Sequence, residues 1–301
     1  MNEHSSPSNW RTEIQRLHGA YAPGTIRAYY ADLEAFVDWC LARGEDPFPT
    51  DTDVLCEYIA HVGQTKSIST VKRRLYAIRK MHKLFRLPDP TTDEAVNIAF
   101  RRVRRAKLAR PRQARGITAD DLRNFIATEP DTPIGLRNRA MLALGYELLT
   151  RRMELISLTT EDVTFQPDGT LKLVIRRGRS DPFGMGRIGY TSKATAEKLK
   201  AWIEWRGPDI FWLFCPIYKN KPINRDLSPT TVKRIIKNAA KRTGYDTVSI
   251  NEFSGHSLRV GAAQELLHRG FDAVAIMRAG GWKTVAVLAR YLENASQNVW
   301  K

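Results

Sequence analysis

Apolar residues recur at helical spacing along most of the chain. From Thr25, the positions Ile26, Tyr29, Leu33, Phe36, Val37, Cys40 and Leu41 share one face, and Gly44 ends the run. Thr52 opens a second helix over Asp53 to Val62. Ser67 opens a third with Val71, Leu75, Ile78, Met81 and Phe85 inward, and Pro88 and Pro90 stop it. Thr92-Asp-Glu starts a fourth that ends in Arg101, Arg102, Arg104, Arg105 and Lys107. Ala109 to Gly116 has no apolar period and reads as a basic linker. Beyond it, Thr118 is an N-cap signal, and Arg137 to Thr150 is a strongly apolar helix. Leu171–Ile175 and Arg187–Tyr190 read as two strands around the turn-rich Gly178 to Gly184. Helices follow over 192–205, 228–242, 257–269, 272–279 and 284–295. The pattern predicts a mainly α chain: a flexible arm (1–24), a helical unit (25–108), a basic linker (109–116) and a helical unit with one small antiparallel sheet (117–301).

Charge narrows the class of partner. The formal net charge of the 301 residues is +16, which points to a polyanion, nucleic acid before an anionic membrane. Between Lys66 and Arg115 there are 16 Lys and Arg against 3 acidic residues. Lys72, Arg73, Arg79, Lys80 and Lys83 lie largely off the apolar face of the third helix. With Arg101, Arg102, Arg104, Arg105 and Lys107 they form the candidate DNA-binding set. The acidic start and basic end of the fourth helix also suit its dipole. No apolar run approaches the ~20 residues that cross a bilayer. The first residues lack a signal-peptide core. Cys40, Cys56 and Cys215 have no disulfide or zinc spacing. A cytoplasmic location fits.

The candidate chemistry lies near the end of the chain. His256 and Arg259 stand one helical turn apart, Gly280-Gly281-Trp282 follows, and Tyr291 comes nine residues later in an amphipathic run. Guanidinium groups clamp a phosphodiester with permanently charged, bidentate donors. A tyrosine hydroxyl can attack the phosphorus and form a covalent intermediate. That route keeps the energy of the broken bond, so it needs no nucleotide cofactor and no obligatory metal. The sequence has no phosphate-binding Gly-x-x-x-x-Gly-Lys-Ser/Thr loop and no His-x-x-x-His.

Ser254-Gly-His-Ser-Leu-Arg-Val-Gly-Ala-Ala263, Ile276-Met-Arg-Ala-Gly-Gly-Trp282 and Tyr291-Leu-Glu-Asn294 together resemble the C-terminal motifs of the tyrosine recombinase (phage integrase) family. They are most similar to its Cre-like branch, which also carries Trp in place of a second His. Leu148-Leu-Thr-Arg-Arg-Met-Glu-Leu155 is similar to the family's first-arginine box. The resemblance spans nearly the whole chain. It implies a four-helix, SAM-like core-binding domain followed by a catalytic domain. It also implies a metal- and ATP-independent, site-specific DNA recombinase working through a 3′-phosphotyrosine and a Holliday junction. In that reading Tyr291 is the nucleophile, Arg151 and Arg259 bind the scissile phosphate, and His256 moves a proton. Trp282 donates its N–H to the phosphate or packs the site closed, and Glu154 orients Arg151 or His256. The implied partner is double-stranded DNA with inverted half-sites, bound by a homodimer on each site and a homotetramer in the synapse. The implied setting is cytoplasmic and nucleoid-associated, the protein being prokaryotic or encoded by a phage or plasmid.

Two departures stand out. The family places a lysine in the turn between the two strands as general acid, and Arg179 stands there instead. Arginine does not readily give up a proton, so the expected role of Arg179 is electrostatic stabilisation of the leaving oxygen. The tail after Tyr291 is short, with Val299 and Trp300 as a candidate anchor to a neighbouring subunit. Two alternatives stay open at this point: a type IB topoisomerase-like enzyme, and a DNA-binding protein of the same fold with impaired catalysis.

Overall fold

The Thr70 N–H donates to the side chain of Ser67, and an 18-residue helix runs on behind that cap. This helix, α4 (Ile68–Phe85), is a spine of the first of two units into which the computed structural model divides, Met1–Pro111 and Arg112–Lys301. The described residues are 9–107, 113–176 and 186–295. Helices α2 (Pro23–Leu41), α3 (Thr52–Thr65), α4 and α5 (Glu94–Ala106) pack together. Their shared core includes Leu33, Phe36, Leu55, Tyr58, Ile78 and Met81. Each such side chain, fully buried, contributes about 1.5–3 kcal/mol.

Asp93, within the expected Thr92-Asp-Glu start, is the residue whose side chain caps α5. Residues 10–17 depart from the expected arm. Trp10–Glu13 form a short helix, α1, and Ile14–Leu17 a 3-10 turn, and Trp10, Ile14 and Leu17 are buried. The Trp10 and Tyr30 rings sit 5.0 Å apart. Two single turns are too short for a hydrophobic period to appear, so tertiary burial decides their structure.

The second unit opens with α6 (Ala119–Ala127), closed at its start by a reciprocal Thr118–Asp121 capping box. Helix α7 (Pro133–Glu147) is buried on nearly all sides and packs against α6, α9 (Lys193–Arg206) and α12 (Ser257–His268). Strands β2 (Leu171–Ile175) and β3 (Arg187–Thr191) pair antiparallel as expected, with Leu171, Leu173 and Ile175 facing the core. The sheet has one strand more than expected. β1 (Val163–Phe165) pairs with β2, Val163 opposite Leu173. A second ribbon, β4 (Ile217–Tyr218) with β5 (Lys221–Pro222), is also present. Strands of two or three residues are too short to show alternation.

The remaining helices are α8 (Arg152–Ile156), α10 (Pro229–Arg242), α11 (Thr247–Glu252), α13 (Ala273–Gly280) and α14 (Val285–Leu292). Helices α8 and α11 lay outside the periodic pattern. The linker's end, residues 113–116, lies on the second unit: Arg115 N–H donates to the Glu252 carbonyl, and the Arg115 guanidinium stacks over Tyr245 and Phe253. Arg179 and the tail residues Val299 and Trp300 fall outside the described residues. No described helix is long and apolar enough to cross a membrane.

Candidate active site

Between α7 and α8 the chain turns through Leu148–Arg151. Leu149 sits in the left-handed region at φ 48, a conformation that costs a branched residue about 1–3 kcal/mol. Two arginines hold the carbonyls that this turn exposes. Arg187 Nη2 donates to the Leu148 carbonyl at 2.7 Å, and Arg259 Nη1 donates to that of Leu149.

Arg151 caps α8, and Glu154 reaches back one turn to it. Glu154 Oε2 accepts from the Arg151 backbone N–H at 3.0 Å, and Oε1 accepts from Arg151 Nη1 at 2.5 Å. The Glu154 carboxylate is buried, and Arg187 Nη2 approaches it at 3.6 Å. The Arg151 head therefore cannot swing freely. A buried carboxylate flanked by two guanidiniums is the arrangement that makes its burial tolerable.

The second half of the site is carried by α12 and α14. His256 takes the N-cap position of α12, and Arg259 follows one turn later with no exposed surface. The Arg259 guanidinium carbon lies 3.9 Å from the centre of the Trp282 ring and 5.5 Å from that of Tyr291. The two rings meet edge to face at 4.9 Å. Burial, and then the charge of Arg151, lowers the Arg259 pKa to about 10, which leaves it protonated at neutral pH. Arg259 Nε and Nη2 and the indole Nε1 of Trp282 are buried donors with no acceptor among the described residues.

His256 keeps an exposed edge. Desolvation of its ring, followed by the charges of Arg152, Arg259 and Arg151, holds its pKa below the ordinary value of 6.5. At neutral pH it is a neutral imidazole, able to accept a proton.

The Gly280-Gly281 pair makes the Trp282 turn possible. A Cβ on Gly280 would stand 1.9 Å from the Trp282 ring, and one on Gly281 would stand 2.9 Å from Arg187 Cδ. Gly281 also ends α13 at φ 68. Tyr291 is tethered from two sides. Gln264 Nε2 on α12 donates to its carbonyl at 3.1 Å, and Gln113 Nε2 donates to the preceding carbonyl, that of Arg290, at 2.5 Å.

Of the sequence-predicted residues, Arg151, Glu154, Arg259, Trp282 and Tyr291 are linked by these contacts, and His256 joins them through their charges. Arg187, Arg152, Gln264 and Gln113 were not singled out by the sequence. An arginine opening a strand and an amide in a helix carry no pattern that separates them from surface residues.

In the first unit Lys72, Lys83, Arg101, Arg102, Arg104 and Arg105 are exposed. Arg73 pairs with the buried Asp32 at 2.6 Å, and Arg79 engages Thr91 and Asp89. Lys80 lies over the Tyr21 ring, and Lys107 Nζ donates to the Lys66 carbonyl. Helix α10 adds a basic face that the sequence analysis passed over, with Lys233, Arg234 and Lys241 exposed and Val232, Ile235 and Ile236 buried.

Residues 115–298 match the model of the phage integrase family, and residues 15–86 match that of the phage integrase N-terminal SAM-like domain. The chain is 30% identical over 302 residues to an integrase/recombinase XerD homolog of Selenomonas ruminantium, covering 95% of this chain and 86% of the relative. It is 24% identical to the Cre recombinase of Escherichia phage P1, covering 94% and 87%. Among solved structures, the XerH site-specific recombinase bound to its palindromic difH substrate superposes with a TM-score of 0.68 at 17% identity, covering 97% of this chain and 82% of that one. A lambda integrase dimer bound to a COC′ core site gives 0.62 at 16%, covering 97% and 96%. With a family model that spans more than half of its length and relatives matched nearly end to end, the chain belongs to the phage integrase family, the tyrosine site-specific recombinases.

Proposed function

We propose that this recombinase breaks and rejoins double-stranded DNA through a covalent bond between Tyr291 and a 3′-phosphate. The Tyr291 phenol oxygen attacks the scissile phosphorus and gives its proton to the neutral imidazole of His256. The bond from phosphorus to the 5′-oxygen breaks, and the departing oxygen, stabilised by the charge of Arg179, takes a proton from water to become a 5′-hydroxyl. Arg151 and Arg259 hold the non-bridging oxygens, Glu154 fixes Arg151, and Trp282 adds its indole N–H. Attack by the 5′-hydroxyl of a partner strand reverses the step, and two rounds of exchange pass through a Holliday junction. The energy of the original bond is kept in the phosphotyrosyl linkage.

The observation that carries this reading is the set of donors on Arg259 and Trp282, beside the Tyr291 ring, that have no acceptor among the described residues. Buried donors without acceptors are costly, and the oxygens of a phosphoryl group are acceptors of the matching kind. Charge supports it too. Arg151, Arg187 and Arg259 surround the single carboxylate of Glu154. The surplus of two positive charges suits a phosphorane that gains negative charge as it forms.

Lys72, Lys83, Arg101, Arg102, Arg104 and Arg105, with the rest of the basic set in support, contact DNA phosphates. One protomer binds each inverted half-site, and two such dimers form the synapse. Covalent trapping on nicked duplex tests the core of the proposal. The parent is expected to leave protein attached to a 3′-end, and Tyr291→Phe to bind DNA without forming an adduct. Stable binding by the parent with no adduct would leave a DNA-binding protein without catalysis.

A further inference from the structure

Arg187 lies outside the motifs that identified the family, yet it joins three pieces of the site. Its Nη2 donates to the Leu148 carbonyl at 2.7 Å, at the turn that leads into Arg151. The same nitrogen stands 3.6 Å from Glu154 Oε2, the oxygen that also accepts from the Arg151 backbone N–H. Its Nη1 donates to the Ala279 carbonyl at 2.7 Å, three residues before Trp282. Its side chain lies against Gly281, where a Cβ would come within 2.9 Å of its Cδ.

Arg259 also bridges the first-arginine turn and Trp282, but among these two arginines it is Arg187 that pairs with the Glu154 carboxylate as well. A planar guanidinium has the geometry for this, because its donors diverge in fixed directions; an ammonium is a point charge that cannot span the same acceptors.

We infer that Arg187 is a positioning residue for strand cleavage, locking Arg151, through Glu154 and the Leu148 carbonyl, in register with Trp282 and the phosphate pocket. It touches neither the phosphate nor the leaving oxygen. As the first residue of β3 it also ties the sheet to both halves of the pocket, so distortion of the strand reaches the arginines through one side chain. This inference rests on the proposed function and adds a residue to it.

The test uses the full chain and nicked duplex built from the DNA recovered with covalently trapped protein. Arg187→Lys should cut the single-turnover rate of adduct formation about 100-fold, the order expected when a reacting group is misplaced by about an ångström. Its DNA affinity should stay near the parent's, and the rate is read at a temperature well below the variant's own thermal midpoint, where it is folded. The defect should persist on a substrate with a 5′-bridging phosphorothiolate, whose thiolate departs without a proton. Combining Arg187→Lys with Glu154→Gln should cost less than the product of the two separate effects, because both act on Arg151.

Near-parental cleavage by Arg187→Lys would overturn the inference. So would rescue by the phosphorothiolate, which would place Arg187 at the leaving group, or a loss that follows thermal unfolding, which would make it a structural brace. If Arg187→Lys does not fold, Arg187→Gln is measured against the same outcomes. A parent that forms no adduct would instead overturn the proposed function.

Discussion

The two units use the same cation in opposite ways. On α5 of the first unit, Arg101, Arg102, Arg104 and Arg105 are exposed on the last turns. In the second unit, Arg259 has no exposed surface, and Arg187 is spent on two backbone carbonyls and a carboxylate. An exposed arginine acts at a distance through a screened charge and tolerates change in its neighbours. A buried one is fixed to a fraction of an ångström by what it bonds, and its loss leaves partners stranded. In the proposed function the first kind would set affinity and its salt dependence, and the second the rate of the chemical step.

The largest expected break in that contrast comes from Arg259→Ala, which should slow adduct formation by about 10²–10³-fold, the scale for removing a charged donor from a developing oxyanion. Arg259→Lys should recover little of it, because lysine cannot hold the Leu149 carbonyl, stack on Trp282 and keep two donors free together. Single-turnover cleavage of nicked duplex measures both, and a fully active lysine variant would show that Arg259 contributes charge alone.

Replacing Arg101, Arg104 and Arg105 by Gln should act on the other side of the comparison. The slope of log affinity against log salt should become shallower by about 2 to 3, at roughly 0.9 per lost phosphate contact. The cleavage rate of saturated complexes should hold. An unchanged slope would take α5 out of the DNA contact.

Trp282→Phe keeps an aromatic ring over Arg259 and removes only the indole N–H. Cleavage should fall about fivefold, since one hydrogen bond contributes on the order of 1 kcal/mol. A variant equal to the parent would leave Trp282 a packing role.

The smallest effect concerns pH. In the proposed function His256 acts as a base when neutral, and its pKa is held below the ordinary 6.5, so activity should hold down to that range and fall only as pH drops further. Arg152→Gln removes a nearby positive charge and should raise the His256 pKa, moving the acid limb of the pH–rate profile upward. A limb that stays in place would show that the charge of Arg152 does not govern the histidine.

Much of this was legible from residues alone. The periods of α2, α4 and α7 were long enough for their inner faces to be read directly, and His256, Arg259, Trp282 and Tyr291 stood out by their order and chemistry. What escaped notice has physical reasons. Trp10 to Leu17 form single turns whose burial depends on partners more than ten residues away, Tyr30 among them. β1 has three residues, too few for alternation. Arg187 sits on a strand that is half exposed, with Ile188 and Tyr190 facing out, and nothing in its neighbours marks it as buried.

The sequence by itself determined the longer helices, the basic first unit and the family, because local period, charge count and ordered motifs are written along the chain. Only the tertiary structure decided which arginines are exposed and which buried, which carbonyls they hold, and why Gly280 and Gly281 precede Trp282. Those depend on backbone approaches between segments more than 100 residues apart, Arg259 to Leu149 among them, and such distances are fixed by packing that no local pattern encodes.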